Sequence, residues 1–211
     1  MKRILALALV AMMMMMTAVM LTGCGDKKDD ASKNEVTVPE GAVANTNNSG
    51  TVTSFYKNEY DENGKLLRNY DYNSKGELLG STAYEYDQYG NDIKTIMYGA
   101  DGEIQAQIKF EKTPKGLVTK RTDVDGNGVI NSIITTEYTD FNAEKTISRF
   151  NGDGTLKGYD EYEYDAKQNL TKVSTYNAEG ELKRYITYVM DENGTITEYE
   201  YDAAGNLVST N

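Results

Sequence analysis

The 26 residues from Gly158 to Lys183, GYDEYEYDAKQNLTKVSTYNAEGELK, decide the fold. They contain two segments of alternating polarity, each followed by a short turn signal, DAKQ and then NAEG. A period of two is typical of a β-strand with two different faces. Aspartate or asparagine can bond the backbone of its own turn, and glycine accepts the positive φ of a type I turn with a bulge. The stretch therefore predicts a β-hairpin and the start of another.

The same plan recurs in six ungapped segments of 26 residues that begin at Ser54. The eleventh position of these repeats holds Gly64, Gly90, Gly116, Asn142, Gln168 and Gly194, and the twenty-third holds Gly76, Gly102, Gly128, Gly154 and Gly180. The sixth repeat is one residue short, so that Gly205 arrives early. Because two kinds of turn alternate, they must lie at opposite ends of the strands. The repeats predict an all-β fold, an up-and-down antiparallel meander of about 13 strands.

The width of this sheet and its register can also be predicted. Open twisted sheets usually curl beyond ~10 strands, so we expect a curled or spiralling sheet, with a flatter single layer as the alternative. The turn positions place acidic residues opposite basic residues in Glu59 with Arg68, Glu85 with Lys94, Glu111 with Lys120 and Glu163 with Lys172. Such pairs contribute ~0.2 to 1 kcal/mol each and select the register. We expect one charged face and one face of tyrosine and aliphatic residues.

The chain begins with Lys2 and Arg3, followed by an apolar run from Ile4 to Leu21, which is the order of a secretory signal. Leu21, Thr22, Gly23 and Cys24 resemble the lipobox of bacterial lipoproteins. That resemblance implies acylation of Cys24 and cleavage just before it, so that residues 1–23 are a signal peptide. It also implies an extracytoplasmic protein attached to the cell membrane by a lipid anchor. An uncleaved membrane helix is the alternative, because about 18 apolar residues nearly span a bilayer.

Residues 24–50 separate this motif from the repeats. From Gly25 to Gly50 they contain no aromatic residue and many small polar ones. Such a composition cannot bury enough apolar surface to fold, so we expect a disordered tether after the lipidated cysteine. Residues 51–211 then form the β-repeat domain.

Three motifs in the repeats resemble a known family. They are YEYDQYGN at residues 84–91, YEYDAKQNL at 162–170 and YEYDAAGNLVS at 199–209. They resemble the YD repeats of the RHS and teneurin type, over about Ser54 to Asn211. In long members the resemblance implies a spiralling sheet that forms a shell, which in some encloses a toxin or binds surface partners. Six repeats are too few to enclose a cargo, and no toxin-like domain follows Val208, so we expect a binding or spacer role.

Charge narrows the classes of partner. Loss of Lys2 and Arg3 with the signal changes the net charge from −11 to −13. Such a chain repels nucleic acid and anionic headgroups, so the lipid must hold it to the membrane. Tyrosine stacks on sugars and packs on proteins, so we expect a carbohydrate or protein partner for a binding or scaffold module. An acidic immunity or inhibitor protein for a basic partner is a further hypothesis.

The sequence DVDGNGVIN, at residues 123–131, resembles part of a calcium-binding loop. Asp123, Asp125 and Asn127 match the start of an EF-hand-like loop, in which alternate oxygens converge on a hard cation. Ile134 occupies the place of the bidentate glutamate, and the repeat's hairpin turn explains the same residues. Calcium is therefore an alternative, and no other cofactor is expected.

Composition argues against an enzyme. The chain has no histidine, no tryptophan and a single cysteine, Cys24. This removes the usual catalytic triads and most transition-metal sites. A carboxylate pair could still hydrolyse glycosides, but a basic neighbour or a turn explains each glutamate that the register places. We expect no catalytic residues.

Overall fold

The computed structural model describes residues 37–211, which form fourteen strands. They are β1 Val43–Thr46, β2 Val52–Tyr60, β3 Leu66–Asn73, β4 Leu78–Tyr86, β5 Asp92–Gly99, β6 Ile104–Lys112, β7 Val118–Asp125, β8 Ile130–Tyr138, β9 Glu144–Asn151, β10 Leu156–Tyr164, β11 Leu170–Asn177, β12 Leu182–Met190, β13 Ile196–Asp202 and β14 Leu207–Thr210. Their order in the antiparallel sheet is their order in the sequence. The predicted all-β meander is confirmed. Within residues 37–211 no helix is long and apolar enough to cross a membrane.

The additional strand is β1, which lies in the range expected to be a tether. Its residues pair with β2, with Ala44 opposite Phe55. The connecting turn uses the plan of the repeats, since Asn47 Oδ1 accepts the backbone N–H groups of Ser49 and Thr51 at 3.0 and 2.9 Å. Asn47 and Gly50 of this turn lie 26 residues before Asn73 and Gly76, which occupy the same positions in the β3–β4 turn. A repeat signal therefore extends upstream of Ser54.

The described chain divides into two compact units. One contains residues 37–58 and Tyr70–Leu79, and the other contains Glu59–Asn69 and Gly80–Asn211. In the first unit, Phe55 on β2 is only 4% exposed. The second unit carries the strand pairings from β4 to β14, in which every neighbouring pair is antiparallel.

The turns have the predicted geometry. In the β4–β5 turn the Gly90 N–H donates to the Asp87 carbonyl at 3.1 Å, and the Asp87 N–H donates to the Asn91 carbonyl at 2.9 Å. The Asp87 carboxylate also accepts the N–H groups of Tyr89 and Asn91. Gly90 has φ 87°, a left-handed conformation that glycine adopts at no steric cost. The type I turn with a bulge is therefore confirmed.

Two turns adopt the same backbone without glycine. Asn142 and Gln168 stand at the eleventh position of their repeats and have φ of 66° and 67°. A side chain at positive φ places its Cβ too close to the following carbonyl, and asparagine tolerates this better than glutamine. The repeat geometry therefore outweighs the local preference of Gln168.

Most hairpins of the second unit contain one extra residue. In β4–β5, Glu85 pairs with Lys94 but Tyr86 pairs with Asp92, so Ile93 is the additional residue of a bulge. Eight other pairings from β5 to β14 show the same one-residue shift. The β12–β13 hairpin does not, and β13 has seven residues where β5, β7, β9 and β11 have eight. Loss of the bulge accounts for the short sixth repeat.

The predicted register is confirmed in three hairpins. Glu85 pairs with Lys94, Glu111 with Lys120 and Glu163 with Lys172, with ion-pair distances of 2.9, 2.9 and 3.1 Å. The pair of Glu59 with Arg68 stays a prediction.

The expected separation of a charged face from an aromatic face is wrong. Tyr159 lies two and four residues before Glu161 and Glu163, so all three side chains share one face of β10. Tyr159 pairs with Tyr176 on that face. The other face carries Tyr162 and the nearly buried Asp160. Each face therefore carries both tyrosines and charged residues. The reason is that the tyrosines of one strand occupy both odd and even positions, as Tyr159 and Tyr162 do, and so point to opposite faces.

Few apolar side chains are buried in the described residues. Phe55, Ile96 and Val124 are buried, whereas many tyrosines are half-buried. A sheet with so small a core depends on cross-strand pairs and on contacts between neighbouring hairpins.

Candidate functional site

The residues predicted for lipid attachment lie outside the described part of the chain. They are Leu21, Thr22, Gly23 and Cys24. Acylation of Cys24 and cleavage after Gly23 stay predictions.

Asp123, the first residue of the predicted calcium loop, has other partners. On β7, its Oδ1 accepts from Arg121 Nε at 2.9 Å and its Oδ2 accepts from Ser132 Oγ at 2.7 Å. The first contact joins two residues of β7, and the second joins β7 to β8. A cation would have to compete with a guanidinium for the same carboxylate.

Asp125 and Asn127 lie in the β7–β8 turn. Asp125 Oδ1 accepts the backbone N–H groups of Asn127 and Val129, both at 2.9 Å, as the first aspartate of other turns does. Within residues 37–211 no three Asp, Glu, His or Cys side chains are grouped so that they could hold a metal ion. The turn explains the motif match, and calcium binding stays a prediction.

A ladder of tyrosines connects successive hairpins on one face of the second unit. The hydroxyl groups of Tyr86, Tyr138 and Tyr164 donate to backbone carbonyls at 2.6, 2.9 and 2.8 Å. The acceptors are Leu66, Val118 and Glu144 in that order, each 20 residues earlier and in the preceding hairpin. We call this arrangement the tyrosine ladder, and its side the ladder face.

Burial raises the pKa of all three ladder hydroxyls above that of an ordinary phenol. Neighbouring charges act in the same direction, since Asp92 raises the pKa of Tyr86 and Glu144 raises those of Tyr138 and Tyr164. The neutral phenol is therefore the form that the folded chain stabilises, as a hydrogen-bond donor requires.

Turn residues of the preceding hairpin cover ladder rings. Lys65 Nζ lies 4.0 Å from the centroid of the Tyr86 ring and donates to the Gly90 carbonyl. Phe141 packs edge to face on Tyr164, with centroids 5.3 Å apart. Each such ring is thus held between its own strand and the turn before it.

Two repeats have another residue at the ladder position. Lys112 occupies it in the third repeat, and its Nζ lies 2.5 Å from Asp92 Oδ1, again 20 residues earlier. Met190 occupies it in the sixth repeat. Methionine has no proton to donate, so this repeat cannot make the ladder bond.

A groove lies where the ladder is interrupted. Its volume is about 270 Å³. The residues that line it are Asp165, Asn169, Leu170, Thr171, Tyr188, Val189, Met190 and Ile196. Met190 is 51% exposed, and its strand partner Ile196 is 53% exposed. The groove therefore presents apolar side chains to solvent beside the polar turn at Asp165.

The opposite face carries two stacked tyrosine pairs, and we call it the stack face. Tyr159 and Tyr176 have centroids 4.7 Å apart at an angle of 14°, and Tyr185 and Tyr201 have centroids 4.8 Å apart at 12°. Lys172 Nζ lies 5.2 Å from the Tyr185 centroid. The rings are half-buried, so part of each stack faces solvent.

Sequence reasoning located the tyrosines but missed the ladder, the groove and the stacks. The signal for the ladder was present, because position seven of the repeats holds tyrosine except for Lys112 and Met190. The sequence signal for the stacks was the spacing of Tyr159 and Glu163, because residues four apart in a strand lie on the same face. The groove had no signal of its own beyond the exception at Met190.

Comparisons with known proteins concern the repeats. Residues 176–211 match the family described as RHS Repeat, which confirms the predicted YD/RHS-like repeats in that segment. No curated protein sequence matches the chain.

Several solved structures are similar in fold over about three quarters of the chain. A complex titled TcdB2-TccC3-Cdc42 has 14% identity and a TM-score of 0.42, covering 74% of this chain and 9% of its own. The Tc holotoxin pore of Photorhabdus luminescens has 17% identity and a TM-score of 0.47, with the same coverages of 74% and 9%. A porin-like protein from Bacteroides uniformis has 13% identity and a TM-score of 0.38, covering 74% of this chain and 88% of its own. This chain thus spans about a tenth of the length of the matched chains in the first two structures.

Proposed function

We propose that the chain is a lipid-anchored, extracytoplasmic binding or scaffold protein whose repeat sheet presents tyrosine surfaces to a protein or carbohydrate partner. The observation that carries the proposal is the stack face. There, Tyr159 with Tyr176 and Tyr185 with Tyr201 form two flat aromatic surfaces that are only half-buried.

The chemistry of these surfaces suits recognition. A tyrosine ring offers apolar area with a polar hydroxyl at its edge, which is why this residue is enriched where proteins bind one another. Lys172 adds a cation beside the Tyr185 ring. A repeat sheet supplies such features at a regular spacing over an extended surface.

The anchor rests on the resemblance at Leu21 to Cys24. We expect the wild-type chain to fractionate with membranes after cleavage before Cys24. Cys24→Ser removes the thiol that would take the lipid, so this variant should leave the membrane fraction or accumulate as an unprocessed precursor. A Cys24→Ser chain that is processed and anchored like the wild type would contradict the lipid anchor.

The binding function can be tested with the full chain in detergent. It would be applied to a glycan array and to immobilised envelope extract, with and without calcium. Tyr185→Ala should weaken capture at least tenfold, because it opens one stack. Tyr89→Ala is the matched control, since Tyr89 lies in a turn and is 63% exposed. Equal loss in both variants, or no saturable binding, would contradict a role for the stack face.

The negative net charge favours one form of this proposal, in which the partner is a basic protein. At a net charge of −13 after loss of Lys2 and Arg3, the chain would attract a basic protein, as an acidic inhibitor or immunity protein does. Such binding should vanish in moderate salt, because exposed charges are screened beyond about 8 Å at physiological ionic strength. Salt-insensitive capture would favour the stack face instead.

A further inference from the structure

We propose that the groove at Met190 is a binding site for the phenol ring of a tyrosine side chain from a partner protein. This deepens the proposed binding function and rests on it. The inference begins with the ladder, in which the chain itself places the same ring at equivalent positions of other repeats.

The ladder defines what the position accepts. Tyr86, Tyr138 and Tyr164 each donate to a carbonyl 20 residues earlier, and residues of the preceding turn cover the rings of Tyr86 and Tyr164. Met190 is 26 residues after Tyr164, so it stands at the next ladder position. The residue 20 before it is Leu170, which also lines the groove.

Met190 does not supply the hydrogen-bond donor that tyrosine supplies at the other ladder positions. Its thioether has no donor for the Leu170 carbonyl, and half of the side chain is exposed. Its strand partner Ile196 is exposed to a similar degree. By the repeat spacing, the Leu170 carbonyl is the backbone acceptor that corresponds to Glu144 in the preceding repeat, and here it lies beside exposed apolar side chains instead of a tyrosine ring.

The chemistry of the groove fits an aromatic ring. A second cavity of about 530 Å³ shares Leu170, Met190 and Ile196 with it, so the site has room for a ring and its chemistry, not its volume, selects the ligand. Leu170 and Ile196 offer apolar contacts. A phenol brings an apolar ring and a single hydroxyl to this setting. A sugar would need hydrogen-bond partners for several hydroxyls, whereas a phenol needs a partner for one.

The two methionines of the described residues make the site observable. Met190 lines the groove, while Met97 lies on β5 and is 39% exposed. The full chain, which has nine methionines, would be labelled with ¹³C at the methionine methyl groups, and the signals of Met190 and Met97 would be assigned from Met190→Leu and Met97→Leu. N-acetyl-tyrosine amide is then titrated into the wild type. We expect the Met190 signal to shift saturably and the Met97 signal to stay in place.

Two further ligands test the chemistry. N-acetyl-phenylalanine amide lacks the hydroxyl and should bind about three- to tenfold more weakly, as expected for loss of one hydrogen bond. N-acetyl-leucine amide should produce no saturable shift. Met190→Tyr places the chain's own ring in the groove, so ligand-observed saturation transfer should no longer detect the tyrosine amide. An unmoved Met190 signal, or equal responses to all three amides, would overturn the proposal.

Partner capture separates this proposal from the broader function. Where a partner is captured, Met190→Tyr should reduce capture while Tyr89→Ala does not. Capture that Met190→Tyr leaves unchanged would overturn the groove as the partner's site but leave the binding function standing. A positive titration without any captured partner would count against the binding function alone.

Discussion

The Tyr86 hydroxyl donates a 2.6 Å hydrogen bond to the backbone carbonyl of Leu66, twenty residues earlier and in the preceding hairpin. Two further tyrosines repeat this bond, so it is a property of the repeat. A meander with few buried apolar residues gains little from a core. We therefore expect the bonds between hairpins to contribute to the cooperativity of the second unit.

Removing one ladder hydroxyl should destabilise the fold modestly. Tyr138→Phe keeps the ring but leaves the Val118 carbonyl without its phenol partner. We expect the free energy of unfolding to fall by ~0.5 to 1.5 kcal/mol, measured by urea unfolding followed by circular dichroism. Tyr89→Phe serves as the control, because its ring is mostly exposed in a turn. An unchanged midpoint for Tyr138→Phe would show that the ladder bond is energetically neutral.

The ladder also predicts a loss of stability in alkali. Burial raises the pKa of Tyr86, Tyr138 and Tyr164 in the folded chain, so the neutral phenols favour folding. This stabilisation is complete below the ordinary tyrosine pKa of about 10 and is lost as the pH rises through the folded values. Urea midpoints should therefore be level from pH 7 to 9 and fall above pH 10. The triple Phe variant should show a shallower fall, and a wild-type curve of the same slope would contradict the assignment to these groups.

The sequence predicted the repeat, the turns and the glutamate–lysine register because each depends on a local pattern. Gly90 and Asp87 specify one turn by themselves, and the turn fixes that Glu85 meets Lys94. The ladder bond could not be predicted in this way. It joins two hairpins, and the pattern within one hairpin does not specify which backbone carbonyl of the preceding hairpin a phenol reaches.

Two features of the fold, the strand β1 and the composition of the two faces, were not predicted correctly, and the causes differ. The strand β1 was overlooked because Val43–Thr46 is short and its surroundings are polar, although the turn signal at Asn47 to Gly50 was in register with the repeats. The faces were misassigned because the tyrosines were treated as one set. Counting in twos from Glu163 back to Tyr159 gives the correct face for the stacked pairs.

Glycine at the eleventh repeat position should stabilise the fifth repeat. Gln168 has φ 67°, where a side chain costs ~1 to 2 kcal/mol, while glycine adds some entropy to the unfolded chain. We expect Gln168→Gly to raise the free energy of unfolding by ~0.5 to 1 kcal/mol. Asn142→Gly should give a smaller gain, because asparagine tolerates positive φ. Thermal and urea unfolding of both variants would check the order, and a less stable Gln168→Gly would contradict it.

The turn aspartates predict how the fold responds to acid. The Asn91, Asn169 and Asn206 side chains donate to Asp87, Asp165 and Asp202, and these bonds, supported by backbone N–H groups, lower the pKa of each carboxyl. Stability from a lowered pKa is present above the ordinary value of about 3.9 and is lost as the pH falls through the folded value. The wild-type urea midpoint should therefore fall below pH 4.

Replacing all three aspartates by asparagine tests that origin, because asparagine keeps the turn acceptor without a titrating group. Asn73, Asn151 and Asn177 already begin equivalent turns. The triple Asn variant should lose less stability between pH 5 and pH 2 than the wild type, and an identical acid profile would assign the acid response to other carboxyls.

Completing the ladder at its interruption should stabilise the last repeat. Met190→Tyr provides a ring for the apolar groove and a hydroxyl for the Leu170 carbonyl, as Tyr164 does for Glu144. We expect a gain of ~0.5 to 1.5 kcal/mol from the hydrogen bond, measured by urea unfolding. Met190→Phe is the matched control, since it fills the same space without a donor and should gain less. Equal effects of the two variants would show that the groove accepts any ring and that its carbonyl does not select a phenol.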